Sequence, residues 1–81
     1  MELYDYNKLN LDQRAETLWK NGVFVINLRE ELYSYNLYTF FGYFVEVKLS
    51  NSENKIIDIR SFRKGEILNK YVDVIDINQM I

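Results

Sequence analysis

The sequence contains no cysteine, no histidine and no proline, and only three glycines among 81 residues. Each absence closes a class of chemistry. Without Cys there are no disulfides and no thiol nucleophile. Without Cys and His together the usual zinc ligand sets are missing, so no zinc is expected to bind at micromolar concentration. The lack of His also removes the commonest general acid–base. No Ser stands in a nucleophile-elbow pattern, no glycine-rich P-loop is present, and the carboxylates do not follow the EF-hand spacing. No apolar run approaches the eighteen or so residues of a membrane span, and the start lacks the basic, apolar and small-residue regions of a secretory signal. These points predict a cytoplasmic protein without metal or cofactor. Ten Lys plus Arg against twelve Asp plus Glu give a net charge of −2, so the cationic excess of nucleic-acid binders is missing.

What remains is an ordinary globular composition, 48% hydrophobic, with no linker, repeat or low-complexity stretch. A single domain over 1–81 is expected, and a chain this short buries only about 60–65% of the surface that its unfolded form exposes. Leu11, Ala15, Leu18 and Trp19 recur at helical spacing. Asn10 and Gln13 stand where a capping box needs them. With Gly22 as a left-handed terminator, the pattern predicts a helix over 11–21. Leu3, Tyr6 and Leu9, three apart, suggest a short irregular or helical turn over 3–9.

After Gly22 the period becomes two. Strands are predicted at 23–28, 32–39, 43–49 and 55–62, with turns at Arg29–Glu31, at Phe40–Gly42 and at Ser50–Asn54. Phe24, Ile26 and Leu28 would share one face, as would Ile57 and Ile59. The third strand is the clearest, with Tyr43, Val45, Val47 and Leu49 alternating with Phe44, Glu46 and Lys48. From Gly65 the helical period returns in Ile67, Leu68, Tyr71, Val72 and Ile75. It predicts a helix over 66–75, against a rival fifth strand over Tyr71–Ile77. The fold class is therefore α+β in the order α-β-β-β-β-α. Short connections imply a four-stranded antiparallel meander, with both helices packed on one face. The expected core is Leu18, Trp19, Phe24, Ile26, Val45, Val47, Ile57 and Ile59. Trp19 is its anchor, so that Trp19→Ala would cost about 3–5 kcal/mol.

The stretch Glu16–Phe24, with its Leu18-Trp19-x-x-Gly22 helix end, precedes Leu37-Tyr38, the strand Phe44-Val45-Glu46-Val47, Asn54-Lys55-Ile56 and Ser61-Phe62. In these features the chain resembles a group of small uncharacterised bacterial proteins. The resemblance implies a compact bacterial domain and brings no activity, cofactor or site residue with it.

Tyr33, Tyr35, Tyr38, Phe40, Phe41, Tyr43 and Phe44 crowd aromatic rings into one short stretch. Since they alternate between faces, one core does not easily absorb them all. Tyr38 and Phe44, with Phe40 and Phe41 at the turn, are the expected partner-binding residues of an open sheet face. Tyr is equally a good cross-strand residue in a half-buried sheet. Phe41–Val47 superficially resembles the RNP1 strand of RNA-binding sheets. However, Tyr43 directly precedes Phe44, where that motif has a small residue between its aromatics, and Glu46 would face the phosphates. Arg60, Arg63 and Lys64 with Gly65 could hold an anion at a helix start, or simply form a solvated strand exit. Glu46 is the best single acid for catalysis, if Tyr38 and Phe44 enclosed it. The expectation is a non-enzymatic interaction or accessory protein, adaptor-, inhibitor- or immunity-like. It would meet a protein partner or form a weak homodimer, with no nucleic acid and no membrane. The alternative is a ligand-binding protein or enzyme with an aromatic pocket.

Overall fold

The computed structural model describes residues 1–66 and 69–72. Two helices, α1 (Leu3–Asn7) and α2 (Leu11–Asn21), precede four strands: β1 (Val23–Arg29), β2 (Tyr33–Phe40), β3 (Tyr43–Ser50) and β4 (Lys55–Phe62). A 3-10 turn, Lys64–Glu66, and a short helix, α3 (Asn69–Val72), follow. The strands lie in the order β1-β2-β3-β4, each antiparallel to the next. This is the α+β meander that the periodicity predicts. Tyr71 and Val72 are helical, and the remainder of the expected 66–75 helix, like that of the rival strand, falls mostly outside the described residues. Among the described residues no helix is long and apolar enough to cross a membrane.

The capping box forms as read: the Asn10 side chain accepts from the Gln13 amide at 2.9 Å, and Gln13 Oε1 accepts from the Asn10 amide at 3.1 Å. Gly22 caps the helix differently from the expectation. Its backbone is extended, with φ −80°, so it is no left-handed terminator. Glycine is required here for space, because a Cβ would stand 2.7 Å from Leu18 Cδ1 and 2.8 Å from the Leu18 carbonyl oxygen. At the β2–β3 turn, Phe41 (φ 50°) and Gly42 (φ 85°) both have positive φ, as a type I′ hairpin requires. A bulky residue is strained there. Phe41→Asn is therefore expected to raise stability by about 1 kcal/mol, read from urea melts. A lowered stability would mean that the edge-on contact of Phe41 with Phe40, at 4.7 Å, outweighs the backbone strain.

Two bulges reset the alternation of side chains. In β1 the pairing shifts between Phe24, opposite Tyr38, and Ile26, opposite Leu37. Phe24 thus faces one side of the sheet, while Ile26 and Leu28 face the other, correcting the single face read for all three. In β4 the shift lies beside Ile57: Asp58 pairs with Lys48, and Ile56 with Leu49. Ile56 takes the inward position, and Ile57 is left 42% exposed.

Both faces of the sheet are buried in part. On the first, Tyr6, Leu18, Phe40, Tyr43, Val45, Val47 and Ile59 form a core under α1 and α2. Arg14 ties that layer together, donating from Nη1 to the Ile59 carbonyl at 2.7 Å and from Nη2 to the Asn7 carbonyl at 2.6 Å. The Tyr6 hydroxyl donates to the Arg14 carbonyl at 2.8 Å. On the opposite face, Leu37, Phe44, Phe62 and Tyr71 form a second cluster. α1 and α2 share one face, but α3, through Tyr71, covers the other, which corrects the expectation that the helices over 11–21 and 66–75 pack on the same side. The reason lies in β3, whose residues are apolar on both sides around Phe44 and Val45, so each side needs a cover.

Candidate functional site

The helices α1 and α2 lie chiefly over β4. The β1–β2 half of the same face is left to the end of α2. There Trp19 and Phe24 both lean on Tyr38, with ring centroids 5.7 Å apart in each pair. Trp19 is 53% and Phe24 54% exposed, with Tyr38 half-buried between them. Phe24 stands on this side because it precedes the β1 bulge. Further along the face Asn27 donates from Nδ2 to Asn36 Oδ1 at 2.7 Å, and Arg29 pairs with Ser34. Burial raises the Tyr38 hydroxyl above its ordinary pKa, opposed by the nearby Asn36 side chain. The surface is aromatic at one end and amide-rich at the other, and it runs along β1, an edge strand of the sheet.

Of the four residues expected to meet a partner, Tyr38 belongs to this surface. Phe41 is 57% exposed, at the tip of the β2–β3 turn. Phe40 and Phe44 are buried. Phe40 is buried against Tyr6, at 4.9 Å, and Tyr43, at 5.5 Å. Phe44 is fully buried on the opposite face, 5.6 Å from Phe62. Tyr38 and Phe44 cannot share a face, because Tyr38 pairs with Val45 and Phe44 with Thr39. Trp19 and Phe24, assigned to the core by periodicity, are the exposed aromatics in their place.

Glu46 lies on the second face and is only 3% exposed. Its Oε2 accepts from Arg60 Nε at 3.2 Å. Its Oε1 accepts from the Tyr71 hydroxyl at 3.2 Å and pairs with the Lys70 ammonium. The Lys70 ammonium also stands over the Tyr35 ring. Burial, and then the Glu46 charge and hydrogen bond, hold the Tyr71 hydroxyl protonated well above the usual phenol range. Tyr35 is raised as well, first by burial and then by Glu30 and Glu46. The neighbours expected for Glu46 differ: Phe44 precedes it on the same face, but Tyr38 is on the other side. Each Glu46 oxygen already accepts from the protein, which suits a carboxylate that anchors α3 to the sheet. Of the basic cluster, Arg60 turns to Glu46, and Gly65 sits in a 3-10 turn rather than at the start of a long helix. Among the described residues no three acidic side chains gather as a metal site.

No family model, no curated protein and no solved structure is significantly similar to this chain.

Proposed function

We propose that this chain is a non-enzymatic interaction protein, of the adaptor or inhibitor kind, that works through the surface of Trp19, Phe24 and Tyr38 beside the edge strand β1. The observation that carries the reading is the exposure of two large aromatics next to a strand edge that is unpaired among the described residues. Trp and Tyr are the residues most enriched among binding hot spots. An open strand edge offers a row of backbone donors and acceptors to another chain, and no proline in the sequence blocks it. The occupant is an extended strand, and the one always at hand is β1 of a second copy. It would pair antiparallel about a two-fold axis, so that each Trp19–Phe24 surface meets its equivalent.

The test is sedimentation velocity over a concentration series. The wild type is expected to associate weakly and reversibly. Trp19→Ser with Phe24→Ser should abolish association while circular dichroism stays unchanged, because both side chains are more than half exposed. A wild type that remains monomeric up to millimolar concentration contradicts the reading, as does a double variant that associates equally well.

A further inference from the structure

A second site lies on the opposite face of the sheet and stands independently of the interaction surface. Beyond Glu46 the register places Lys48 opposite Asp58 and Tyr35 opposite Lys48. Together with Arg60 and Lys70 these side chains line a cleft of about 170 Å³. Three cations and two carboxylates converge there, in a chain whose overall charge is −2.

The hydrogen bonds show which charges are already used. Glu46, almost fully buried, takes the Nε edge of Arg60 and the ammonium of Lys70. Arg60 is thereby fixed through one side of its guanidinium. Among the described residues its two terminal nitrogens donate to no protein acceptor. They form the planar fork that matches two oxygens of a carboxylate or phosphate group. Lys48 stands 4.2 Å from the centre of the Tyr33 ring and makes no ion pair among the described residues, although Asp58 is its cross-strand neighbour. Asp58 instead accepts the Ile59 amide at 2.9 Å on Oδ1. It is the one group of the cleft that opposes an anion without a cation bound to it among the described residues.

The geometry points to this cleft as a binding site for a small oxyanion, a phosphate or carboxylate group held by the Arg60 fork and the Lys48 ammonium above the Glu46–Lys70 pair. Glu46 acts as a positioning residue: it orients Arg60 and touches no ligand. The floor of the cleft is a buried carboxylate with both oxygens engaged, while Arg60 and Asp58 are exposed and open the cleft to solvent.

An NMR titration of the amide resonances tests this, with inorganic phosphate and acetate as separate probes at ionic strength held constant by sodium chloride. Saturable shifts confined to Tyr35, Lys48, Asp58, Arg60 and Lys70 are expected for at least one probe. Saturation by phosphate alone assigns a phosphate ligand, and saturation by acetate a carboxylate one. Lys48→Gln, which leaves the Glu46 contacts intact, is expected to weaken binding about tenfold. Arg60→Lys keeps the charge beside Glu46 but loses the fork, and should weaken it similarly. The site is refuted if neither probe saturates, or if both variants bind as the wild type does.

Discussion

Phe44→Ala is expected to destabilise the protein by about 3–5 kcal/mol, the usual cost of emptying a fully buried phenylalanine site. Phe44 lies within the second cluster, where it meets Phe62 and sits with Leu37 and Tyr71. Its removal opens a cavity under α3, a helix too short to sustain itself without that packing. Trp19→Ala should cost only about 1 kcal/mol, because its indole is more than half in water and its contact is one face of Tyr38. This reverses the ranking that helical periodicity gives. Urea melts of the two variants decide it, and a Trp19 variant less stable than the Phe44 one would place the core on the wrong residues.

Alkaline pH should unfold the protein in a transition driven by tyrosine. Burial raises three hydroxyls strongly: Tyr43 is pushed up to about 12, and Tyr6 and Tyr71 higher still. Below pH 10, the ordinary tyrosine value, folded and unfolded states both hold these protons and their contribution to stability is complete. Above it, the unfolded chain releases protons that the folded one retains, so stability falls as pH rises from 10 through 12 and beyond. Phenolate absorbance and circular dichroism should therefore change together, for these tyrosines ionise only as the fold opens. Tyr43→Phe removes one such group and should move the transition to higher pH. Ionisation of all seven tyrosines with the circular dichroism unchanged would contradict the burial described.

The element boundaries were legible because the period of the sequence changes cleanly at Gly22 and again after Phe62, and because Asn10 and Gln13 declare a helix start. The faces were less so. Alternation predicts sides only while the ladder stays regular, and the bulges at Val25 and Ile57 each invert it for the residues beyond. Nothing in Val23-Phe24-Val25-Ile26 announces a bulge, since all four residues suit a strand. Phe24 thereby leaves the core and meets Tyr38, whereas the separation of Tyr38 from Phe44 follows from the regular β2–β3 pairing. Alternation misplaces Phe44 because its neighbours Glu46 and Lys48 make its face look solvated. The buried partner of Glu46 is Tyr71, distant in sequence, and no local pattern signals that contact. Asn51 is similar: it read as one member of a polar turn, yet its side chain donates to the Glu30 and Glu31 carbonyls and accepts from Ser34 Oγ, joining two turns.

On the proposed reading Trp19 stands at a contact surface. It is the single tryptophan of the chain, so its fluorescence reports on that surface alone. At low concentration the emission should be that of a water-exposed indole and should be quenched readily by iodide. As concentration rises the emission should shift to the blue and the quenching should fall, in step with association seen by sedimentation. Emission that is buried at every dilution, or fully exposed at every concentration, would rule out a contact surface at Trp19.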